Sequence, residues 1–247
     1  MSPAPPVVDR RRSVALAVLA AVAAAAWLGG GPTVGTAAAT SAAPHEAVEL
    51  LEDFYALKHP SARAARIKRL EALTPANADQ LRVPIRERKQ IGDQTWLRVM
   101  LPGRPNNRTG WIRYDEEAMT IFKLKRTIRI DVGSRVLVAS ENGLMKKRVR
   151  VVVGARSTPT PYGEFFVMEK VQGMRWSKRG WALALSAYSN VLMRFDGGEG
   201  QVAIHARGSL AGSLGSASSH GCIRVDDGVA AWLTRFAPNG TFVQIVP

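Results

Sequence analysis

A chain of 247 residues with 34 Lys and Arg against 20 Asp and Glu carries a formal charge of +14, which favours polyanionic partners, with solvated basic faces that keep the protein soluble as the other reading. Its single cysteine excludes an internal disulfide and any cysteine-rich metal cluster. Nucleic acid is the first polyanion to consider, but no basic run is interleaved with aromatics in the way that single-strand binding needs. The N-terminus argues against it too. Arg10-Arg11-Arg12 precede an apolar run from Val14 to Leu28, and Thr36-Ala37-Ala38-Ala39 offers a small-residue cleavage site. Residues 1–39 therefore read as a secretory signal or an N-terminal anchor, placing the protein in the cell wall, the periplasm or at the outer face of the cytoplasmic membrane. Loss of that segment would remove three arginines and one aspartate and leave +12. A free thiol kept in an oxidising compartment asks for a chemical reason.

Residues 40–80 read as a helical hairpin. Val48, Leu51, Phe54 and Tyr55 fall on one helical face, Pro60-Ser61 ends that helix and caps a second, and Ile67, Leu70 and Leu73 give the second its stripe. Residues 81–124 change to short strands. Trp96 to Met100 alternates, Pro102 to Asn107 is turn-rich, and Gly110-Trp111-Ile112 follows. This Trp-strand, turn and Gly-Trp-Ile pattern resembles a small bacterial SH3-like barrel.

From residue 125 to 247 the pattern is again mainly β. Thr127 to Val132 and Arg135 to Ser140 alternate, and Glu141-Asn142-Gly143 makes a hairpin turn. Lys147 to Val153 is the next strand, and Ser157-Thr158-Pro159-Thr160-Pro161-Tyr162-Gly163 forms a rigid turn before another. Trp176 and Trp181 flank a basic turn, Ala182 to Ser186 resumes a strand, and Asp196 to Gly200 turns the chain towards His205. Asp226-Asp227 caps a short helix, Gly228 to Phe236, before a last strand, Thr241 to Val246.

The chemistry concentrates between His205 and Val225. This glycine- and serine-rich stretch holds Cys222 and two of the four histidines, His205 and His220. A thiol becomes a strong nucleophile when an adjacent imidazole takes its proton. His220 lies two residues before Cys222, on the same side of an extended backbone. Gly221 lets a carbonyl approach and leaves the N–H groups at 221 and 222 as oxyanion donors. Three other readings stand beside this one. Cys222 as an inert core thiol is opposed by the polar Ser218-Ser219-His220-Gly221 approach. A zinc site of two His and one Cys lacks a fourth ligand. A phosphate cradle lacks the Lys-Ser/Thr ending of a P-loop.

Ser219-His220-Gly221-Cys222-Ile223-Arg224, with Ile204-His205 upstream, resembles the signature of the L,D-transpeptidase (YkuD-like) family of bacterial cell-wall enzymes, from about Ile128 to Pro247. The resemblance implies a β-sandwich catalytic domain with short helices, and no cofactor or metal. It implies that Cys222 attacks the carbonyl after the third residue of a peptidoglycan stem tetrapeptide, expels D-alanine, and passes the acyl group to an amine, giving a 3→3 cross-link. A carboxypeptidase or wall-peptide hydrolase would use the same acyl-enzyme with water, and an inactive wall-binding protein would need no such thiol. By the family's pattern His205 is the base or imidazolium partner of Cys222, the Ala206 carbonyl orients it, and His220 with the loop residues Ser219 and Gly221 holds substrate or oxyanion.

The family carries a similar Thr-Pro-x-Gly-x-Phe stretch, so Tyr162 is a candidate substrate contact, and it often has a lid where Trp176 and Trp181 stand; anchoring a loop is the other role open to them. Two departures are Ala206 in place of a frequent glycine and Arg224 in place of a frequent Asn. Arg224 is open to two roles, binding a stem carboxylate or holding the loop through an ion pair. The partners implied are stem peptides, with anionic wall polymers as a second attraction, and carbapenem-type β-lactams as covalent inhibitors of a thiol reactive near neutral pH.

Overall fold

Strands build nearly all of the computed structural model, which describes residues 43–173, 180–195 and 197–247. In chain order they are β1 (Glu46–Leu50), β2 (Phe54–Leu57), β3 (Arg66–Leu70), β4 (Arg82–Ile91), β5 (Gln94–Met100), β6 (Thr109–Arg113), β7 (Met119–Lys123), β8 (Arg126–Asp131), β9 (Val136–Glu141) and β10 (Leu144–Arg150). There follow β11 (Val153–Gly154), β12 (Gly163–Gln172), β13 (Trp181–Tyr188), β14 (Gln201–Ala206), β15 (Ala217–Ser219), β16 (Ile223–Val225) and β17 (Phe242–Val246). The one α-helix among the described residues is α1 (Asp227–Phe236). A seven-stranded sheet runs β3-β2-β6-β5-β4-β1-β7, an eight-stranded sheet β10-β9-β8-β17-β12-β13-β14-β16, and β11 pairs with β15. The candidate signal or anchor, residues 1–39, lies outside the described residues, as does Trp176.

The helical hairpin expected over residues 40–80 is replaced by strands. β1 is hydrogen-bonded on both sides, to β4 and to β7, and so buries Ala47, Val48 and Leu50. The helical spacing was misleading because two of its members, Leu51 and Tyr55, are exposed, while Ala47 and Leu50, which lie outside it, are buried. Pro60 and Ser61 lie in the connection from β2 to β3 instead of capping a helix. The same sheet overturns a separate SH3-like module at 81–124, because β1 sits between β4 and β7 and completes their sheet. The chain changes sheets between Lys123 and Arg126.

β12 explains how the two sheets make one sandwich. Phe165 and Val167 point into a core shared with Leu183, Ile204, Ile223 and Leu233, whereas Phe166 and Met168 point into the core of the seven-stranded sheet with Leu97, Val99 and Ile112. A strand covered on both faces reads as a continuous apolar run, which Phe165-Phe166-Val167-Met168 is. The predicted hairpin from β9 to β10 turns through Asn142 and Gly143, both with positive φ. α1 begins as expected, with the Asp226 side chain accepting from the Gly228 N–H, and buries Ala230, Leu233 and Phe236. It is a single helix, where short helices in the plural were expected. Glu169 of β12, almost fully buried, accepts the N–H groups of Ala76 (3.0 Å) and Asn77 (3.1 Å), tying the β3–β4 connection to the eight-stranded sheet.

Candidate active site

The parallel pair β14–β16 builds the site by register. Ile204 is opposite Ile223 and His205 opposite Arg224. Because side chains alternate along a strand, Ile204 and Ile223 enter the core while His205, Arg224 and, one step earlier, Cys222 share the other face. A backbone hydrogen bond from Ala203 to the Cys222 sulfur fits this placement. β13 pairs with β14 so that Ala182 and Ala184 lie beside His205 and Ala203 on that face, where small side chains leave a shallow floor.

His205 is buried, and its Nδ1 lies 2.7 Å from the Ala206 carbonyl oxygen. A carbonyl accepts only, so Nδ1 donates and the neutral ring carries its lone pair at Nε2. The expected orienting contact from Ala206 is thus present. Burial holds the imidazole below its usual range, the Ala206 carbonyl works against that shift, and the Arg224 cation adds to it. Burial pushes the partly buried Cys222 thiol up, opposed by the Ala203 hydrogen bond and by Arg224. Both shifts favour neutral groups. Both directions point towards a resting thiol and imidazole, a pair that can still react near neutral pH because the imidazole can take the thiol proton.

The Ser219–Cys222 turn is held from two sides. The Ser219 hydroxyl donates to the Cys222 carbonyl at 2.5 Å and accepts from the Gly221 N–H at 3.2 Å. That N–H, expected to stand open as an oxyanion donor, is thus engaged by a long hydrogen bond. Gly221 has φ +112°, a conformation that favours glycine. From the proline-rich turn, the Thr158 hydroxyl donates to the Ser219 carbonyl (3.0 Å) and the Thr160 hydroxyl to the Gly221 carbonyl (2.9 Å). Thr160 Oγ1 also accepts the Gly154 N–H (2.9 Å), and a Cβ on Gly154 would collide with the Thr158 and Pro159 backbone. Sequence reasoning missed these two threonines. Their signal was the paired Thr-Pro steps of a turn from which only Tyr162 was singled out.

Arg224 is buried, and its Nη1 donates to the Ala211 carbonyl at 2.6 Å, so among the described residues it holds the loop through a backbone oxygen and not through an ion pair. Its Nε is buried without a hydrogen-bond partner among the described residues. His220 is exposed and stacks on Phe195, ring centroids 5.0 Å apart at 30°. Tyr162 is half-exposed on the turn that carries Thr158 and Thr160, and its carbonyl accepts from the Asn107 amide at 3.2 Å. Its side chain is not drawn into the Cys222 cluster by any hydrogen bond or ring contact among the described residues. Trp181 packs against the core as a partly buried anchor. Among the described residues, no three His, Cys, Asp or Glu side chains converge as metal ligands.

The fold and the site define a β-sandwich protein with a cysteine and an oriented histidine on adjoining strands. More particularly, residues 125–245 match the YkuD family of L,D-transpeptidase catalytic domains, and this part of the chain is such a domain. A putative L,D-transpeptidase YkuD of Bacillus subtilis (strain 168) is 30% identical over 118 residues, covering 48% of this chain and 64% of the relative. The match therefore spans less than two thirds of that relative's length. Among solved structures, an L,D-transpeptidase from Mycobacterium smegmatis is 15% identical over 67% of this chain and 99% of its own, with a TM-score of 0.40. An Enterococcus faecium L,D-transpeptidase is 20% identical over 49% and 50%, with a TM-score of 0.39.

Proposed function

We propose that the protein is a peptidoglycan L,D-transpeptidase working through a Cys222 acyl-enzyme. The observation that carries this reading is the β14–β16 register, which sets Cys222 on the same face as a histidine whose Nδ1 is bound to the Ala206 carbonyl. On this reading the Cys222 sulfur attacks the carbonyl after the third residue of a stem tetrapeptide while its proton passes to His205 Nε2. The tetrahedral oxyanion is received by the Cys222 and Gly221 N–H groups with His220 beside them, the Gly221 donor exchanging Ser219 for the stronger acceptor. Collapse expels D-alanine, which takes the proton from His205. An acceptor amine from a second stem then attacks the thioester, loses its proton to His205, and frees the thiol with a 3→3 cross-link. The neutral resting pair suits this order, since charge forms only as the carbonyl is attacked. Export to the wall follows from that substrate, and the charge of +14 supports attraction to anionic wall polymers.

Incubation of the purified protein with stem tetrapeptides, read by mass spectrometry, tests the reading. Cross-linked product with loss of one alanine is expected. Tripeptide alone would make water the acceptor and the protein a carboxypeptidase. Unchanged tetrapeptide together with no covalent adduct on Cys222 from a carbapenem would overturn the acyl-enzyme and leave a wall-binding role.

A further inference from the structure

The turn-rich loop Pro102–Asn107, which joins β5 to β6 in the seven-stranded sheet, reaches across to the other sheet with four anchors. The Gly103 N–H donates to the Ser186 carbonyl at 3.2 Å. Arg104 donates from Nε and Nη2 to the Ser189 carbonyl (3.1 and 2.9 Å) and from Nη2 to the Leu192 carbonyl (3.0 Å), with its guanidinium over the Tyr188 ring at 5.2 Å. Asn106 brackets the Tyr188 backbone, donating to its carbonyl at 2.7 Å and accepting its N–H at 3.0 Å. Asn107 accepts the Glu164 N–H at 2.8 Å and donates to the Tyr162 carbonyl. The reason for this density lies in β13. Its pairing with β14 is irregular between Ala184 and Tyr188, and the loop supplies partners there, at Ser186 and Tyr188, and further on at the Ser189 and Leu192 carbonyls.

That backbone leads directly to His220. The Ser189 N–H donates to the Gly200 carbonyl at 2.8 Å and closes the base of the excursion, and the Ser189 hydroxyl accepts from the N–H groups of Val191 and Leu192. A Cβ on Gly200 would collide with the Leu192 carbonyl that Arg104 binds. At the far end Phe195 and Gly198 exchange two backbone hydrogen bonds of 2.9 Å, and the Phe195 ring stacks on His220.

We propose that Arg104 and Asn106 are positioning residues for acyl transfer: by fixing the backbone at Tyr188–Leu192 they set Phe195 against the His220 ring, so that a loop of the seven-stranded sheet fixes the orientation of His220 beside Cys222. The inference rests on His220 serving the acyl-transfer site. It gives the first sheet a direct part in the chemistry that is separate from shielding the core.

The test uses the intact protein and three variants, Phe195→Ala, Arg104→Gln and Asn106→Ala, with Arg104→Lys as the conservative control. The His220 ring protons, assigned by their absence in His220→Gln, are followed by NMR. Loss of the Phe195 ring current shifts them in Phe195→Ala, and Arg104→Gln and Asn106→Ala are expected to shift them in the same direction, Arg104→Lys less so. In parallel, the second-order rate of Cys222 acylation by a carbapenem is expected to fall roughly 10- to 100-fold, the scale of a misplaced catalytic contact. Iodoacetamide alkylation of Cys222 should change less than about twofold, because a small alkylating reagent forms no oxyanion.

An unmoved His220 resonance in both loop variants would overturn the coupling. So would equal loss of acylation and alkylation, which marks a merely structural effect. If the unaltered protein is not acylated at all, the acyl-transfer reading fails, and the NMR shifts still decide whether the loop sets His220. Should Arg104→Gln not fold, Asn106→Ala and the exposed Phe195→Ala carry the same comparison.

Discussion

His205 and Arg224 are register partners across the parallel pair β14–β16, and this pairing brings a thiol seventeen residues away in the chain to the side of an imidazole. It also sets a buried cation, Arg224, where its charge acts on both groups. Arg224 lowers the pKa of both neighbours, favouring the thiolate on one side and disfavouring the imidazolium on the other.

The first prediction concerns pH. Burial raises the Cys222 pKa, so the thiolate fraction at pH 7 is smaller than that of an unhindered thiol, whose pKa is about 8.5. Iodoacetamide alkylation should therefore titrate with a midpoint above that value. Burial lowers the His205 pKa, so its base form persists to lower pH than in an ordinary imidazole, and carbapenem acylation should hold further into the acid range. An alkylation rate already at its plateau at pH 7 would contradict the neutral resting pair.

Arg224→Met should shift both limbs in one direction. Without the cation, the thiolate loses a favourable charge and the imidazolium loses an unfavourable one, so both pKa values rise. The alkylation midpoint and the acid limb of acylation should each move to higher pH, with circular dichroism confirming that the loop held through Ala211 remains folded. Opposite movement of the two limbs would show that Arg224 acts mainly through loop geometry.

Cys222→Ala should abolish product formation, and His205→Ala should lower it by about 10³- to 10⁴-fold, the scale seen when a member of a nucleophile–base unit is removed. Both are read in the stem-peptide assay. Near-normal cross-linking by Cys222→Ala would assign the nucleophile elsewhere.

Thr160 is buried and joins three segments through one hydroxyl, accepting from Gly154 and donating to Gly221. Thr160→Val keeps the shape and removes both hydrogen bonds, leaving the Gly154 N–H unpaired at a cost of about 1–3 kcal/mol. Thermal unfolding should report that loss, and acylation should slow because the turn carrying Gly221 and Cys222 is released. Thr160→Ser should restore most of both. Equal stability of the Val and wild-type proteins would mean that water replaces the hydroxyl.

How legible this was in the sequence depends on how far each signal reaches. The hairpin at Asn142-Gly143 and the Asp226 cap were legible because each rests on a local rule of turns or caps, and the stretch holding His205 and Cys222 stood out by its reactive side chains. Residues 46–70 were misread because their strand character is imposed from outside. β1 has Glu at both flanks of Ala47-Val48 and gains its identity from pairing with β4 and β7, up to roughly seventy residues away. The Arg104 and Asn106 contacts were invisible for the same reason, since a Pro-Gly-Arg-Pro-Asn-Asn turn shows its shape in sequence but not the surface it meets.

The last prediction tests that tertiary control where the helical reading failed. Glu169 accepts the N–H groups of Ala76 and Asn77, and the Asn77 amide in turn donates to the Lys170 carbonyl, so one short stretch of β12 fixes the β3–β4 connection. Within that connection the Thr74 hydroxyl accepts the Asp79 N–H at 3.2 Å, and the Ala78 N–H donates to the Thr74 carbonyl at 3.0 Å. Removing the carboxylate breaks two charge-assisted hydrogen bonds, but their donors sit near solvent and can turn to water, which keeps the cost of Glu169→Ala to about 1–3 kcal/mol. Hydrogen exchange separates this local release from a general loss of stability. The Ala76 and Asn77 amides should exchange faster in Glu169→Ala by a larger factor than the amides of β14, and Glu169→Gln, which keeps an acceptor oxygen, should fall between. If the amides of β14 accelerated equally, Glu169 would be stabilising the whole sandwich, and the β3–β4 connection would not be a separately held element.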